Sequence, residues 1–374
     1  MQSFDIAVHG SGAVGLAAAL ALAHQGLSVA LHAQTHDPTR DVAREDLRAF
    51  ALNARSVALL ESIKVWHALP EQARTPVHDM RVEGDAAGAA LDFSAWQQRV
   101  TQLAWIVDAA ALEATLREAV RFAPKVSSLP RDAESAATLR VFAEGRDSPA
   151  RKRLGVAMPL HDYGQRAIAA RLVAELPHGG LARQWFKSPD VLALLPFDVV
   201  ASGHGYGLVW SLPLARAAEL MASSQTEFEA ALMVATGGAA GALTLHGARA
   251  DWPLAVGRAE RVCGAGWVLI GDAAHVVHPL AGQGLNLGLA DVAALAKVIA
   301  EREPWRGLGD EKLLRRHARE REWPTRAMTD VTDGLLQLFA SPHGLVRSLR
   351  NQGLSWVNRL GPIKRALVAR ALDA

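Results

Sequence analysis

The stretch FDIAVHGSGAVGLAAALALAHQGLSVALHA, residues 4–33, decides the fold of this 374-residue chain. Its first five residues form a short apolar run, which is typical of a buried parallel strand. Three glycines follow, and residues 16–25, rich in alanine and leucine, predict a helix that Gly26 closes. Residues 27–33 predict a second strand. The sequence therefore predicts a βαβ unit whose glycines stand where the first strand turns into the helix.

The glycine turn has the spacing GxGxxG, which suits a nucleotide with two phosphates. Backbone N–H groups at a helix N-terminus bind a pyrophosphate when no side chain stands in the way. We expect Gly10 to permit the tight turn, Gly12 to let the phosphates approach, and Gly15 to let helix and strand pack closely. The position between a strand and a helix favours this site over a turn that merely packs. The predicted site comprises Gly10, Ser11, Gly12, Ala13, Val14 and Gly15.

One part of a dinucleotide site is missing from the sequence. An acidic residue normally ends the second strand and holds the ribose hydroxyls, whereas here that strand ends at Ala33. Gln34 or Asp37 are both candidates to replace it. We expect looser binding at the adenosine end of the nucleotide.

The rest of the chain predicts an α/β protein in which one domain is inserted into another. Residues 155–254 carry strand-like pieces separated by turn residues, which predicts a mostly antiparallel sheet. The tail from Lys312 is Arg-rich and helical, and Pro324, Pro342 and Pro362 divide it. Other predicted elements are helices over 55–69, 109–121 and 285–299, strands over 139–143, 192–195, 207–212 and 267–270, a hairpin over 77–93 and a loop over 35–46.

We predict the fold class α/β: a Rossmann-like nucleotide-binding domain, an inserted mostly antiparallel β-sheet substrate domain and a helical C-terminal tail. The nucleotide-binding domain is discontinuous in this prediction because its strands return after the insertion. The predicted boundaries are 1–75, 100–160 and 262–335 for the nucleotide domain, 76–99 and 161–261 for the substrate domain, and 336–374 for the C-terminal helices.

Composition excludes several classes of protein. With 50% hydrophobic and 21% charged residues the chain can bury a large core, so disorder and a disulfide-framed mini-protein are excluded. A net charge of +2 is too balanced for a nucleic-acid binder that works through charge alone. Cys263 is the only cysteine, which indicates a reducing compartment. The apolar run over 13–23 is about half the roughly 20 residues that a membrane-spanning helix needs, and it follows glycines rather than a basic leader.

The most specific motif is GDAAHVVHPLAGQGLNLGLAD, residues 271–291. A buried strand ends at Asp272, whose carboxylate can accept a hydrogen bond from a polyol hydroxyl. A loop with proline and glycines then enters a helix whose first turn contains Leu285 and Asn286. The N-terminus of that helix can face a group that carries negative charge.

This run resembles the flavin-binding signature of the FAD-dependent aromatic hydroxylases of the para-hydroxybenzoate hydroxylase type. Within them it is most similar to the ubiquinone-biosynthesis hydroxylases. The resemblance implies bound FAD, NAD(P)H as a transient electron donor, and hydroxylation of a phenolic or polyprenylated aromatic ring with O2. It extends along nearly the whole chain, through residues 48–52, 163–167, 194–196, 209–211, 315–321 and 332–335.

The resemblance also implies roles for individual residues. Asp272 would hold the ribityl chain, and Arg48 would lie near the flavin phosphates. A middle motif, residues 143–148 with Arg151, would contact FAD and the nicotinamide donor, although Glu144 stands where the family has Asp. The loop beside the isoalloxazine would contribute Gly271, Pro279, Gly282, Gly284, Leu285 and Asn286.

Three positions depart from the family in the same direction. Relatives carry polar residues where this chain has Ala109 and Ala110, and Ala33 replaces the acid at the end of the second strand. If each lost polar contact were worth about 1 kcal/mol, the FAD dissociation constant would rise roughly a hundredfold. We therefore predict either loosely held FAD or compensation by neighbouring groups.

Other candidate residues are better explained by packing. His275 and His278 have a spacing that can bind metal, but no third ligand follows in the pattern, and we predict no metal site. Cys263 is predicted to be a buried, inert thiol. Trp185 and Trp210 are predicted to be core residues rather than pocket walls.

The first functional hypothesis is a flavin monooxygenase in ubiquinone synthesis, cytoplasmic and docked peripherally at the inner membrane. The second is a flavin-poor, non-catalytic homologue that binds quinone precursors or scaffolds a biosynthetic complex. A hydroxylase for an unrelated small aromatic differs from the first only in its pocket. The sequence marks no catalytic base. The Arg-rich run over 315–321 predicts a solvated helix face with i,i+4 ion pairs, and anionic lipid or a protein partner is the alternative.

Overall fold

The computed structural model describes residues 2–33, 46–84, 90–277 and 283–340, with side chains left out for Gln283 and residues 328–340. Several sequence predictions fall outside these ranges. They are Gln34 and Asp37, most of the loop over 35–46, the centre of the hairpin over 77–93, the loop residues Pro279 and Gly282, His278, and the tail over 341–374.

A six-stranded sheet forms the half of the protein that the sequence predicts to bind a nucleotide. Its strand order is β15-β16-β9-β1-β2-β8, and all neighbours are parallel except the antiparallel pair β15 and β16. Apolar residues on both faces suit strands that are covered on both sides. The strands are β1 (Ser3–His9), β2 (Val29–Ala33), β8 (Val126–Pro130), β9 (Ala136–Phe142), β15 (Cys263–Gly264) and β16 (Trp267–Leu269).

Helix α1 (Ala13–Ala23) is the central helix of this half. It follows β1, lies against β1 and β2, and is buried along nearly its whole length because α4 (Ala109–Arg121) and α8 (Gln283–Ala300) pack beside it. A helix that is apolar all round, such as this alanine- and leucine-rich one, is expected in such an enclosed place. The βαβ unit predicted from residues 4–33 is confirmed.

An eight-stranded, mostly antiparallel sheet takes five of its strands from the chain between β9 and β16, two from before β9 and one from after β16. Its order is β17-β14-β10-β13-β12-β11-β5-β6, with one parallel pair, β5 and β11. The predicted α/β class with an inserted antiparallel sheet is thereby confirmed, while the domain boundaries stay a prediction. The strands are β5 (Asp79–Glu83), β6 (Ala90–Ser94), β10 (Leu160–Ala174), β11 (Leu181–Lys187), β12 (Asp190–Pro196), β13 (Gly205–Pro213), β14 (Leu243–Arg258) and β17 (His275–Val276).

Two helices that the sequence pattern did not predict cover one face of the large sheet. They are α6 (Leu214–Ala222) and α7 (Gln225–Thr236), in a region for which only strands and turns were predicted. The available signal was a capping box, in which Ser224 and Glu227 bond each other's backbone N–H groups. Trp185 and Trp210 are fully buried in the core beneath these helices, as expected.

The opposite face of the large sheet packs against a small antiparallel sheet, β3-β7-β4. Ile106 and Ala49 from the small sheet meet Ala193 and Leu195 from the large one. The small sheet and its neighbours are β3 (Ala49–Leu52), β4 (Arg74–Val77), β7 (Ala104–Asp108), α2 (Ala54–Ser62), α3 (Ala95–Gln98) and two 3-10 turns, Trp66–Ala68 and Glu71–Ala73. The helix predicted over 55–69 therefore ends early, at Ser62, where Lys64 adopts a positive φ.

The last described helix, α9 (Glu311–Ala340), corrects two predictions. Pro324 does not divide it, because the helix runs on through that residue. Arg321 and His317 do not lie on a solvated face: His317 is 1% exposed, and Arg321 turns inward to bind Asp291. An i,i+4 ion pair does form, between Arg315 and Glu311. Among the described residues, no helix combines the length and the apolarity that a membrane crossing requires.

Candidate functional site

The glycine turn after β1 is sterically closed to other residues at two positions. Gly10 has a φ of +124°, and a Cβ there would lie 2.1 Å from the carbonyl oxygen of Ala143 on the neighbouring segment. A Cβ on Gly15 would lie 2.0 Å from the carbonyl oxygen of Gly10. Both contacts are with backbone, so neither can relax by side-chain movement. The turn therefore depends on both glycines, as the sequence predicts.

Gly12 is different, because the space beside it is open. It is the N-cap of α1, and a Cβ built there meets no atom within 4 Å. No side chain caps this end of the helix, and its first turn carries no acidic residue. The N-terminal N–H groups and the positive end of the helix dipole are thus left for an anion. This arrangement fits the diphosphate of a dinucleotide.

The second motif packs directly on the first through Val14. Gly271, with a φ of +59°, begins the 3-10 turn Gly271–Ala273 that follows β16. A Cβ on Gly271 would lie 3.2 Å from Val14 Cγ1, and one on Gly288 would lie 2.6 Å from Val14 Cγ2. A residue of α1 therefore fits between the two glycines of the later motif, which brings together segments more than 250 residues apart in the chain.

Asp272 is the free carboxylate of this region. Its side chain is exposed, and none of the described residues forms a hydrogen bond or ion pair with it. The atoms packed around it raise its pKa by desolvation, while His275, Arg48 and Arg146 act in the opposite direction. An unpartnered carboxylate facing two arginines without touching them can accept hydrogen bonds from a polyol, the role that the sequence predicts for it.

Arg48 lies on the same side of the site, held by acidic neighbours. It forms a two-point ion pair with Asp46, with bonds of 2.6 to 3.1 Å, and its Nη2 is 3.8 Å from Glu113. The hydrogen bond to Asp46 is the main cause of the raised pKa of Arg48. Its guanidinium also lies 5.3 Å from the ring centre of Phe50. The side chain remains 45% exposed, so it is available to a phosphate.

Both polar atoms of the Asn286 side chain form hydrogen bonds with protein atoms. Its Oδ1 accepts hydrogen bonds from the backbone N–H of Asn53 (3.1 Å) and from Ser56 Oγ (2.7 Å). Its Nδ2 donates to the carbonyl of Ala51 (2.7 Å). The side chain is buried, so it fastens the start of α8 to β3 and α2 rather than presenting a free group. Leu285 beside it is a core residue.

A buried charge cluster that the sequence pattern did not predict lies behind Asp272. Asp291 on α8 accepts hydrogen bonds from the backbone N–H of Gly271 (2.9 Å), from His275 Nε2 (2.7 Å) and from Arg321 Nε (2.7 Å). His275 and Arg321 hold the pKa of Asp291 far below its usual value against the effect of burial. Asp291 in turn outweighs burial at His275 and raises its pKa. The cluster fixes the backbone next to Asp272 and ties it to α9.

The middle motif, residues 143–148 with Arg151, is stabilised by hydrogen bonds of its own side chains. Glu144 Oε2 accepts hydrogen bonds from Ser148 Oγ (2.6 Å) and from the backbone N–H of Ala150 (2.9 Å), at the start of the short helix α5 (Pro149–Arg153). Arg151 is buried and donates to the carbonyl oxygens of Ala273 and Arg146. The longer side chain of Glu144 is therefore engaged within the motif, and Arg151 links it to the turn that carries Asp272.

The three alanines that stand where the family has polar residues lie in different environments. Ala109 is 0% exposed, so its side chain has no surface for a cofactor. Ala110 is exposed and Ala33 is half-buried. The number of positions at which a polar contact is lost is therefore at most two, which reduces the predicted weakening of FAD binding to roughly thirtyfold at about 1 kcal/mol each.

The residues set aside have structural roles. His275, considered as a metal ligand, belongs to the Asp291 cluster, and the described residues contain no group of His, Cys, Asp and Glu arranged for a metal. Cys263 is half-buried in β15 rather than fully buried, and burial raises its pKa. A surface groove of about 870 Å³ lies at the C-terminal end of α1, the end opposite the glycine turn, and so is separate from this site.

Known proteins that are similar to this chain include FAD-binding proteins and ubiquinone hydroxylases. A sequence profile described as "FAD binding domain" matches residues 3–332. A ubiquinone hydroxylase, UbiL, of Rhodospirillum rubrum is 30% identical, with 98% of this chain and 89% of the relative covered. The 3-demethoxyubiquinol 3-hydroxylase of Escherichia coli is 29% identical, with 99% of each covered. A probable FAD-dependent monooxygenase from Pseudomonas aeruginosa, pqsL, shares the fold with a TM-score of 0.76 at 19% identity, covering 95% of this chain and 100% of that one.

Proposed function

The chain belongs to the FAD binding domain family, and from that membership we propose that it hydroxylates the aromatic ring of a ubiquinone precursor. It is an FAD-dependent monooxygenase of the aromatic hydroxylase type. Two relatives that each match nearly its whole length are hydroxylases of ubiquinone or a ubiquinol precursor by name, and they support this class of substrate. The overall reaction takes up O2 and NAD(P)H, places one oxygen atom on the ring and releases the other as water.

The observation that carries the proposal is the open, uncapped start of α1 together with the unpartnered Asp272. We propose that the diphosphate of FAD binds the N–H groups at Gly12 and the two residues after it. Asp272 would hold the ribityl hydroxyls, and Arg48 would neutralise a phosphate. Gly284 and Leu285, at the start of α8, would support the ring, with Asn286 holding that helix end in place.

Bound flavin supplies the redox chemistry, accepting electrons from NAD(P)H and activating O2. The protein's own contribution is to position and to exclude water. The start of α8, with its positive dipole end, would favour the ring oxygen that gains negative charge on reduction. Catalytic residues stay unassigned, since no described side chain is marked as a phenol-activating base.

We propose further that the protein works at the surface of a membrane. A polyprenylated precursor is held by its tail in the bilayer, so an enzyme that acts on it gains access by docking there. A quinone-biosynthetic complex is the other partner that the relatives' names make relevant.

The first experiment is an absorption spectrum of the purified protein, followed by titration with FAD. We expect a flavin spectrum, and saturable uptake in any fraction purified without it. The reconstituted protein is then given NAD(P)H, O2 and a short-chain ubiquinone precursor. The expected product is heavier by one oxygen atom in mass spectrometry, with the label retained when 18O2 replaces air.

Two results would contradict the proposal. Protein that takes up no FAD at any concentration would favour the flavin-poor scaffold instead. Protein that binds FAD but oxidises NAD(P)H without acceleration by any ubiquinone precursor, while an unrelated phenol is hydroxylated, would show a different substrate class.

A further inference from the structure

An exposed face of α9 combines positive charge with large aromatic side chains. Arg315 and Arg316 lie three and four residues after Lys312 and four and three residues before Arg319, so all four project from one side of the helix. Trp323, four residues after Arg319, continues this row and is 66% exposed. The other side of the helix carries the buried Leu313, Leu314 and His317. We call the exposed row the α9 basic face.

A second exposed tryptophan extends the face at its start. Trp305, in the turn before α9, is 75% exposed, and the guanidinium of Arg306 lies 4.6 Å from the centre of its ring. Arg306 lines a shallow groove of about 490 Å³ on the α9 basic face. The groove is lined by five basic side chains and a single acidic one: Arg306, Lys312, Arg315, Arg316 and Arg319, with Glu322.

The charge of this face is only partly neutralised within the protein. Arg306 pairs with Glu303 and Asp310, Arg315 pairs with Glu311, and Arg316 pairs with Glu303. Lys312 and Arg319 have no carboxylate within 4 Å among the residues that the structure describes. In sequence, the chain after α9 continues the same sign of charge, since residues 341–374 contain six Arg and Lys residues and one acidic residue among many apolar ones.

We propose that the α9 basic face docks on a bilayer that contains anionic phospholipid. Anionic headgroups complement clustered Lys and Arg side chains. Exposed tryptophans favour the boundary between headgroups and acyl chains, where one part of the ring is apolar and the N–H stays wet. An acidic protein surface would match the same charges and rings; the bilayer is favoured because the proposed polyprenylated substrate is held in it. This inference rests on the proposed membrane location, and it is independent of the hydroxylase activity.

The test is co-sedimentation of the full-length holoprotein with vesicles. We expect binding to mixed phosphatidylcholine–phosphatidylglycerol vesicles, none to phosphatidylcholine alone, and a decline as salt rises. The double variant Lys312→Gln/Arg319→Gln should lower the partition constant about thirtyfold, which corresponds to roughly 1 kcal/mol for each charge lost. Trp305→Ser/Trp323→Ser should lower it at least tenfold. Trp96→Ser/Arg121→Gln, at exposed positions elsewhere, should bind like the parent protein.

Three outcomes would overturn the proposal: no binding to anionic vesicles, equal binding by all variants, or loss only in the charge variant together with full competition by polyglutamate. The last outcome would indicate an acidic protein partner. FAD content and turnover of a short-chain precursor should be unchanged in every variant. If such turnover is absent while vesicle binding behaves as expected, the hydroxylase proposal fails and the docking surface stands.

Discussion

Two aspartates of the same motif have opposite environments. Asp272 is exposed and has no protein partner among the described residues, whereas Asp291 is 2% exposed and accepts three hydrogen bonds. A side chain that the folded protein does not use is free to serve a ligand. A buried, fully bonded carboxylate serves the fold. The two positions therefore separate the binding role from the structural one at the level of single residues.

We predict that Asp272→Asn weakens FAD binding ten- to a hundredfold and leaves the unfolding free energy of the apoprotein unchanged. The reason is that a charged hydrogen bond to the ligand, worth about 1.5 to 3 kcal/mol, is lost while no contact within the protein is. FAD affinity is measured by fluorescence titration, and stability by urea denaturation. The matched variant Asp291→Asn should instead destabilise the apoprotein by about 3 kcal/mol, because it leaves the buried charges of His275 and Arg321 uncompensated. Equal stability losses in the two variants would refute this division of roles.

His317, beside the same cluster, gives stability a dependence on pH. Burial lowers the pKa of His317 to about 4, from 6.5 in the unfolded chain. Charged groups face it from three elements: Asp291 on α8, Arg321 and Glu320 on α9, and His275 on β17. Because the pKa of His317 is lower in the folded protein, between pH 6.5 and about 4 the unfolded chain binds a proton at this residue and the native state does not.

We predict that the contribution of His317 is fully present above pH 6.5 and is lost as the pH falls from 6.5 to about 4. The loss attributable to this residue is about 3 kcal/mol, and it is the difference between the parent protein and His317→Gln across that range. Urea denaturation at several pH values measures it. His67→Gln, at an exposed position, is the control. Parallel pH profiles for parent and His317→Gln would contradict the prediction.

At the level of elements, the contact between α1 and α8 decides how the two motifs meet. Val14 fills the space that Gly271 and Gly288 leave, so the helices approach at a position where neither can carry more volume. The glycines of the late motif are therefore required in part by a side chain of the early one.

We predict that Gly288→Ala destabilises the protein by about 1 to 3 kcal/mol, because its Cβ would lie 2.6 Å from Val14 Cγ2. In the Val14→Ala background the same change should cost nothing, or stabilise by up to about 1 kcal/mol through helix propensity. A double-mutant cycle by urea denaturation measures the coupling. Gly284→Ala on the same helix, whose Cβ would have only an ordinary contact at 3.9 Å, should not be destabilising. Additive effects at positions 14 and 288 would show that the contact is not the cause.

At the scale of the whole molecule, a buried ion pair connects the large sheet to the nucleotide-binding half. Arg171 on β10 donates to Asp108 at 2.6 Å, and Asp108 also caps α4 by accepting from the backbone N–H of Ala111. Arg171 further donates to the carbonyl of Asp46, next to the candidate cofactor residue Arg48. Both partners of the ion pair are buried.

We predict that Arg171→Leu lowers the unfolding free energy by about 3 kcal/mol, since it leaves a buried carboxylate uncompensated. Because this pair joins the two halves, their unfolding should also become less cooperative, visible as a broader calorimetric transition. Arg121→Leu, which breaks an exposed pair with Glu118, should cost less than about 0.5 kcal/mol. A sharp, unshifted transition in Arg171→Leu would contradict this role for the pair.

The sequence by itself determined the βαβ unit, the family and the identity of Gly10, Gly12, Gly15 and Asp272 as candidate site residues. These features depend on local spacing: a strand, a glycine turn and a helix are neighbours in the chain, and steric limits on glycine act within a few residues. The strand predicted over 139–143 is found at Ala136–Phe142, and the helix predicted over 109–121 is found at those residues, for the same reason, since each has its own local pattern.

Only the tertiary structure decided which polar groups of the site are free. Asn286 and Glu144 look like ligand-binding residues in sequence, yet protein atoms from distant or neighbouring segments take up their hydrogen bonds. Arg321 looked like one more solvated arginine until its side chain was found 2.7 Å from Asp291, thirty residues earlier in the chain. Burial and pairing depend on which segments pack together. That information lies in long-range contacts, which a local pattern of residues does not contain.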